Sequence, residues 1–482
     1  MSPHGLRHHA PAIGAALLLV VSVACAPRPR LAKPVAVVPA EYKEIGNWQP
    51  AQPDDAAIRG KWWEVFQDLP LNALEDQLAV SSETLKAAQA QFAQARAFVR
   101  SARAGLFPQV NGSTSTLQAD QSANKPYWNG GDTRYSDYLL HADVSYEIDV
   151  WGRVAHTVEA GRANAQATAA DLESVGLSLR AELALDYFQL RSTDVEKQIL
   201  DTTVANYAKA LDLTRNREQG GVATVADVAQ AETQLQSTLA QAIDVNVRRA
   251  QFEHAIAVLV GQPASTFTIP AAAATPIVPP PAIPAGVPAH VLERRPDVAG
   301  AERRMAAASA QVGVASSAFF PLLNLTGAFG FESGGLTNWV KTVSTFWTAA
   351  PTAAIALLDG GRRRAATDQA IAGYERTEAV YHDTLLTAFR EVEDNLAALR
   401  ILAEEATVQD AAVAAAERSL AQATNRYTGG VATYLEVISA QNALLTNQRT
   451  SINIQLRRLT ASVLLIKALG GGWDAKALAS TP

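Results

Sequence analysis

The chain repeats itself at an offset of 209 residues. The segment from Asn216 to Leu235 returns as the segment from Asn425 to Leu444, with 10 of 20 positions identical. Identity is densest at two Gly-Gly-Val-Ala-Thr segments, where paired glycines interrupt a helix-forming run and force a turn. The same offset places Gly261 on Gly470. The sequence therefore predicts a duplication in which each copy carries a helical hairpin.

The N-terminus and the net charge indicate the compartment of the chain and the kinds of partner it can bind. Arg7 precedes an apolar run from Ala10 to Val23, which is short for a transmembrane helix and typical of a secretory signal. The formal net charge is −6, and the sequence pI is about 5.8. This balance provides no basic field for nucleic acid. We expect an exported protein without a nucleic-acid partner.

Cys25 is the only cysteine, and it directly follows the apolar run in a Val-Ser-Val-Ala-Cys segment that resembles a bacterial lipobox. This position predicts lipid attachment at Cys25, and Ala26 in the next position indicates the outer membrane. Ser22 departs from the usual lipobox pattern. The alternative is cleavage by the ordinary signal peptidase, which would leave Cys25 without a function.

Two patterns predict the architecture of the helices. From Ala160 to Arg217 there is no proline and glycine occurs only twice, which predicts one helix of about 58 residues and about 87 Å. Apolar residues then step by four, three and four from Leu200 to Leu211. The second copy continues this rhythm. Such spacing is typical of a coiled coil with a narrow apolar seam.

Each copy also contains two segments with a period of two. Apolar residues alternate with polar ones over 138–150, and the predicted partner strand runs from Leu106 to about Gln118. The second copy has matching segments over 323–331 and 347–357. Their length and single apolar face suit an outer-membrane barrel. A soluble sandwich is the alternative, but four strands cannot close a barrel, so we expect several chains to complete it.

The sequence shows no pattern for catalysis. The glycines of the Asp359–Arg362 segment lack the Lys-Ser/Thr of a nucleotide loop, and we interpret the segment as a turn with an anchoring arginine. The eight histidines have no metal-ligand spacing, and no Gly-x-Ser-x-Gly elbow occurs. We expect no enzyme activity, no metal and no cofactor.

Two local motifs carry a family resemblance. The segment 62–68 has the sequence Trp-Trp-Glu-Val-Phe-Gln-Asp, and the segment 292–298 has the sequence Leu-Glu-Arg-Arg-Pro-Asp-Val, followed by Ala301-Glu302-Arg303 and Phe320-Pro321. Together with the duplication and the export signal, they resemble the TolC-like outer-membrane efflux family, and within it the OprM/NodT-like lipoprotein branch. The resemblance covers about residues 40 to 472.

The resemblance implies an α+β membrane protein. In this fold, a homotrimer builds one 12-stranded β-barrel, with four strands from each chain, that continues into a periplasmic α-helical tunnel. It also implies a passive channel that receives drugs or other small molecules from an inner-membrane transporter, expected to be proton-driven, through a periplasmic adaptor. A conduit for type I polypeptide secretion is the alternative within the fold. A lipid-tethered coiled-coil scaffold without a pore is the alternative from another class.

The predicted division of the chain has six parts. They are a signal peptide over 1–24, a lipid-anchored tether over 25–60, a first repeat over 61–262 with its tip near 220, a Pro-rich linker over 263–288, a second repeat over 289–472 with its tip near 429, and a tail over 473–482.

Three groups of residues are predicted to act in the channel. Adaptor contacts are expected at the tips, formed by Gly220, Gly221, Val222, Gly429, Gly430 and Val431. The periplasmic gate is expected about two helical turns above the tips, where Asp227 and Glu436 occupy equivalent repeat positions. The resemblance implies that they face the tunnel, and a solvated position on its outer wall is the alternative. The family's second acidic residue at the gate is replaced by Ser439. The residues expected to face lipid are Leu140, Val144, Tyr146, Ile148, Phe329 and Trp347.

Overall fold

The computed structural model describes residues 60–126, 131–271 and 294–473, with short pieces at 39, 42–45, 280–281 and 283. The signal peptide, Cys25, most of the tether and most of the Pro-rich linker lie outside the described residues, as do Leu292 and Glu293 of the second motif.

The described chain contains seven helices, four strands and several short 3₁₀ segments. The helices are α1 (Leu69–Ser81), α2 (Glu83–Ala104), α3 (Arg153–Gln219), α4 (Val225–Leu259), α5 (Pro296–Ser317), α6 (Arg362–Thr428) and α7 (Tyr434–Ala468). The strands are β1 (Gln109–Asp120), β2 (Arg134–Glu147), β3 (Leu322–Ser333) and β4 (Thr345–Ala354). Both copies therefore follow the same order of two strands, a long helix and a returning helix.

The long helix of each copy is continuous. Helices α3 and α6 each have 67 residues, so each extends about 100 Å, longer than the sequence predicted for α3. Gly161 and Gly176 do not break α3. A Cβ at Gly161 would lie 3.3 Å from the ring of Phe98 on α2, so the missing side chain allows close approach of the two helices.

The four strands form one antiparallel sheet in the order β1-β2-β3-β4. Gln109 pairs with Ser145, Ser145 with Thr326, and Thr326 with Ala350, which fixes the register across the sheet. The predicted strands are confirmed with shifted ends. Strand β1 begins at Gln109 rather than Leu106, β2 spans Arg134–Glu147 rather than 138–150, and β4 ends at Ala354, so Ile355 and Leu357 lie beyond it.

The chain divides into two compact units. The described part of the first comprises Ala93–Ala167 and Ala301–Tyr381, and it contains the whole sheet. The second comprises the described residues within Val37–Phe92, Thr168–Gly300 and His382–Pro482. Both helical turns lie in this second unit.

The Trp62–Asp68 motif builds part of the core of the second unit. Trp62, Trp63 and Phe66 are buried on a 3₁₀ turn, and the ring centre of Phe66 lies 5.0 Å from that of Phe188 on α3. Asp68 then caps α1, because its Oδ1 accepts a hydrogen bond from the Leu71 N–H at 3.0 Å. The motif therefore fixes the start of α1.

The motif at the start of the second repeat is an ion-pair network. Arg295, which is buried, bonds Asp297 at 2.6 Å and Glu391 at 2.7 Å, and donates to the carbonyl oxygen of Ala468. Gly470 has a φ of 91°, and a Cβ there would overlap the carbonyl oxygen of Arg294. Its repeat equivalent, Gly261, packs in the same way against the carbonyl oxygen of Ser81.

None of the described helices combines the length and the apolarity that are needed to cross a membrane.

Candidate functional site

The two glycine turns have the same backbone geometry. At the end of α3, the N–H of Val222 bonds the Arg217 carbonyl at 2.8 Å, and the N–H of Gly221 bonds the Glu218 carbonyl at 2.9 Å. Val431 and Gly430 repeat both bonds at the end of α6. This is a Schellman cap, which requires a left-handed residue after the helix. Gly221 and Gly430 provide it, with φ of 72° and 75°.

The valine of each turn projects into solvent in the isolated chain. The exposed fraction is 67% for Val222 and 71% for Val431. A Cβ at Gly221 or at Gly430 would meet nothing within 4 Å, so these glycines are required for their conformation and not for space. The backbone alone therefore explains Gly221 and Gly430, whereas it leaves the exposed valines unexplained.

Asp227 lies nearer the turn than predicted. Helix α4 begins at Val225, so Asp227 is in its first turn rather than two turns above the tip. Its N–H bonds the Thr224 hydroxyl at 3.2 Å, and its Oδ2 accepts from the Thr224 N–H at 2.9 Å. This is a capping box, and it satisfies two backbone donors at the helix start. Asp227 thus has a structural role, whether or not it faces a pore.

Glu436 occupies the same helical position but makes a different contact. Its carboxylate lies 3.3 Å from the guanidinium of Arg426, and both side chains are about half exposed. Thr433, the residue before α7, makes no side-chain cap bond. Ser439 is exposed, and its hydroxyl donates to the Leu435 carbonyl at 2.9 Å, one turn back on its own helix. The two copies therefore diverge at this level.

An aromatic cluster joins the two turns inside one chain. The rings of Tyr427 and Tyr434 lie 5.2 Å apart, and both side chains are buried with Leu211, Ala231 and Val437. The Tyr427 hydroxyl is 3.3 Å from the Thr214 hydroxyl. Burial raises the pKa of Tyr434 to about 12, and its ring packs within this apolar cluster.

Arg217 bridges this cluster to the second turn. Its guanidinium lies 4.7 Å from the ring centre of Tyr427 and donates to the Thr428 carbonyl oxygen at 3.1 Å. Sequence reasoning missed Arg217, Tyr427 and Tyr434. The repeat alignment contains a signal: Arg217 and Arg426 match, whereas Tyr427 and Tyr434 replace Glu218 and Val225 of the first copy. The two tyrosines that differ between the copies are thus the residues that pack between the two turns.

The sheet presents one apolar face. Register places Val110, Val144 and Gly327 on one row, and Ala142, Phe329 and Trp347 on the next row of that face. Leu140, Val144, Ile148, Phe329 and Trp347 are exposed, and Tyr146 is half-buried. The opposite face is mostly polar, with Asn111 bonded to Asp143 at 3.1 Å, although Leu139 and Phe346 also lie on it. The alternation that predicted one apolar face is confirmed.

Strands β1 and β4 are the edges of this sheet. In the described part of the chain, each pairs with a single neighbour. Each therefore carries a row of backbone donors and acceptors along its outer side, and a long unprotected edge invites pairing with another chain. The sheet is incomplete by itself.

The Asp359–Arg362 segment is a helix-entry turn. The Asp359 carboxylate accepts hydrogen bonds from the Gly361 and Arg363 N–H groups and pairs with the Arg363 guanidinium at 2.6 Å. The anchoring arginine is therefore Arg363 rather than Arg362. Within the ranges that the structure describes, no group of three or more His, Cys, Asp or Glu residues is placed to hold a metal ion.

Comparison with known proteins identifies the family that shares these features. A family model described as outer membrane efflux protein matches residues 74–262 and 287–471. The solvent efflux pump outer membrane protein SrpC of Pseudomonas putida is 31% identical over 458 residues, covering 93% of this chain and 96% of SrpC. The outer membrane protein OprJ of Pseudomonas aeruginosa is 30% identical over 472 residues, covering 96% of this chain and 97% of OprJ.

Solved structures give the same result. The outer-membrane channel OprN superimposes with a TM-score of 0.85 at 27% identity, covering 93% of this chain and 100% of that one. The CmeC outer membrane channel of Campylobacter jejuni gives 0.85 at 25% identity, covering 94% and 96%.

The chain belongs to the outer membrane efflux protein family. Its fold is that of one protomer of a TolC-like channel, with four strands and two long helical hairpins. It is an outer-membrane efflux channel protein, so the predicted family, fold class, function and outer-membrane location are confirmed, whereas the lipid anchor stays a prediction. A pore-free scaffold is ruled out by this membership.

Proposed function

We propose that three copies of this chain form one closed channel that passively conducts drugs, solvents or other small molecules out of the cell. The observation that carries this proposal is the four-stranded sheet with two unpaired edges and one apolar face. Three such sheets joined edge to edge give twelve strands with no free edge. Closure removes every exposed backbone group, which the hydrocarbon of a membrane requires.

The partners in the proposal are a periplasmic adaptor and an inner-membrane transporter, which we expect to be proton-driven. The described residues contain no group of side chains placed to hold a metal, and the Asp359–Arg362 turn lacks the Lys-Ser/Thr of a nucleotide loop. A passive channel needs a partner to provide energy. The adaptor is proposed to contact the exposed Val222 and Val431 and the glycines beside them, Gly220, Gly221, Gly429 and Gly430. The relatives named for solvents, toluene and antibiotics favour small molecules over secreted polypeptide as cargo.

The gate in the proposal lies at the helical turns. Asp227 and Glu436 would bring six carboxylates to one level of a trimer, and Ser439 lies one turn further along α7. Arg217, Tyr427 and Tyr434 link the two turns of each chain at the same level. Opening would therefore have to break contacts inside each chain as well as separate neighbouring chains.

Lipid attachment at Cys25 is proposed as a second anchor to the membrane. Mass spectrometry of the mature N-terminus should find a lipid-modified Cys25, and an unmodified peptide that starts elsewhere would contradict it. Because the barrel provides its own attachment, a Cys25→Ser chain should still form trimers at a lower yield in the outer membrane.

The test of the proposed function is complementation with defined partners. The chain is expressed in a cell that lacks its own outer-membrane efflux channel, with or without a cognate adaptor and pump. Resistance to toluene and export of a fluorescent dye should both increase only when all three components are present. A purified protein that stays monomeric in detergent and in vesicles, or resistance that does not need the pump, would contradict the proposal.

A further inference from the structure

The two edges of the sheet carry exposed apolar pairs that the apolar face does not include. Leu106 and Phe107 form the β1-edge pair, in the link between α2 and β1. Leu357 and Leu358 form the β4-edge pair, in the link between β4 and α6. The exposed fractions of Phe107, Leu357 and Leu358 are 70%, 90% and 93%.

Both pairs lie at the same end of the sheet. Strand β1 begins at the end where β4 finishes, because Gln109 and Ala350 lie on one row through Ser145 and Thr326. At this end, Leu106 of the β1-edge pair, Ile148 beyond β2 and Leu322 at the start of β3 are each about 40% exposed. Phe107, Leu357 and Leu358 are much more exposed than these residues, and all three adjoin an edge strand. A chain that pairs with an edge of the sheet would therefore lie beside them.

The register of edge-to-edge pairing follows from the strand lengths. Strand β1 has 12 residues and β4 has 10. If every residue of β4 pairs with β1 of a second copy, Thr345 must lie opposite a residue between Gln118 and Asp120. Side chains alternate between faces, so a continuous apolar face leaves only Gln118 or Asp120 opposite Thr345.

Both allowed registers bring the two edge pairs to the same end of the seam. In these registers Ala354, the last residue of β4, lies opposite Gln109 or Asn111 at the start of β1. The edge pairs lie within a few residues of these strand ends, in the links beyond them. The β1-edge pair is also held in place, because the Leu106 N–H bonds the Arg103 carbonyl at 3.0 Å and the Phe107 N–H bonds the Ala104 carbonyl at 3.1 Å.

We infer that the β4-edge pair of each chain docks on the β1-edge pair of a second copy of this chain, forming an apolar contact at the helix end of each seam between chains. The inference rests on the proposed trimer. It adds that the seam is held by side chains beyond the strand ends, in addition to the backbone ladder. Three such head-to-tail contacts close a ring, as a heterologous interface with threefold symmetry requires.

Cysteine cross-linking in isolated outer membranes tests the contact. A Phe107→Cys, Leu358→Cys double variant should give covalent dimers and trimers on oxidation, because a disulfide forms only where the Cα atoms approach within about 7 Å. Each single variant should give no ladder. A Val150→Cys, Leu358→Cys variant is the matched control, because exposed Val150 lies at the same end but follows the inner strand β2.

A second cross-linking experiment on the same membranes shows whether the edge contact or the trimer itself is absent. An amine-reactive cross-linker should trap trimers of every variant. If trimers are trapped but neither this double variant nor a Leu106→Cys, Leu357→Cys double variant gives a ladder, the edge contact is wrong and the proposed trimer stands. If no trimers are trapped from the parent chain, the proposed function itself fails.

A second readout tests lipid as the occupant instead of a second copy. The photoreactive residue p-benzoylphenylalanine at position 358 should link to the segment around Phe107 of another chain and give a dimer band. A product whose mass corresponds to one chain plus one phospholipid would overturn the inference, since Leu358 would then face the bilayer.

Discussion

Arg217 lies against Tyr427, with its guanidinium 4.7 Å from the ring centre, and so connects the end of α3 to the end of α6. The repeat equivalent of Arg217 is Arg426, which pairs instead with Glu436 on the helix that follows its own turn. One arginine thus joins the two hairpins of the chain, whereas the other stays within its hairpin. The two turns therefore differ in which hairpin their arginine contacts.

Replacing Arg217 should weaken the contact between the end of α3 and the end of α6. A cation–π contact and one hydrogen bond together contribute about 2 kcal/mol. We expect Arg217→Ala to raise single-channel conductance in a planar bilayer and to leave trimers intact. Arg215→Ala is the control, since its ion pair with Glu232 also joins two half-exposed side chains and contributes about 0.2–1 kcal/mol. Equal conductance changes in the two variants would contradict the distinct role of Arg217.

Asp227 and Glu436 are expected to give the closed channel a preference for cations. Six carboxylates at one level, of which the three of Glu436 pair with Arg426, still carry a net negative charge and would concentrate cations where the helix wall has a low dielectric. Asp227→Asn with Glu436→Gln should reduce this preference in bilayer recordings. Asn is used because its carbonyl still accepts the bond from Thr224 that completes the capping box. Identical ion selectivity would place both residues on the outer surface.

The exposed valines of the turns are expected to contact the adaptor. Val222→Asp with Val431→Asp should abolish efflux without loss of trimers, because the charge disrupts an apolar contact while the Schellman caps depend on backbone bonds. Val258→Asp is the control, since Val258 on α4 is 71% exposed and far along the chain from the turn. Drug susceptibility and cross-linking to the adaptor measure the effect. Unchanged efflux would remove these valines from the contact.

A charge on the apolar face of the sheet should prevent insertion. Val144→Lys should make the free energy of folding into the membrane less favourable by about 2–4 kcal/mol if residue 144 lies near the bilayer midplane. Ser145→Lys is the matched control, because the next residue of β2 points to the polar face. The amount of assembled trimer in the outer membrane is the measurement. Equal assembly of the two variants would mean that the apolar face is not in contact with lipid.

Glu75 is expected to make stability fall as pH rises. It is fully buried, and in the described structure neither carboxylate oxygen has a hydrogen-bond partner, so burial raises its pKa from 4.5 to about 9. At neutral pH the folded chain keeps the proton on Glu75 and the unfolded chain has lost it. The contribution of Glu75 to stability is therefore fully present below pH 4.5 and is lost as pH rises to about 9, with a loss of about 4 kcal/mol at pH 7.5 as an upper bound.

Thermal unfolding between pH 5 and pH 9 measures this effect. Glu75→Gln should flatten the dependence of Tm on pH and unfold later than the parent at pH 8. Glu83→Gln is the control, because Glu83 is an exposed carboxylate paired with Lys86 and its replacement should leave the slope of Tm against pH unchanged. A parent Tm that does not change with pH would show that Glu75 ionises freely.

The sequence determined the elements whose cause is local. The paired glycines at 220 and 429 required two turns, the absence of proline after Ala160 required a long helix, and strict alternation around Val144 required a strand with one apolar face. The repeat offset and the two motifs were sufficient for the family. Each of these depends on neighbouring residues or on a fixed period.

Only the tertiary structure determined which distant residues meet. No local signal places Arg217 on Tyr427, Arg295 on Glu391, or β2 beside β3 across more than 170 residues of chain. The level of Asp227 was wrong by about one turn, because the exact start of α4 is set by the capping box at Thr224. Helix ends and long-range pairs result from the competition of packing and hydrogen bonds over the whole chain, and periodicity records neither.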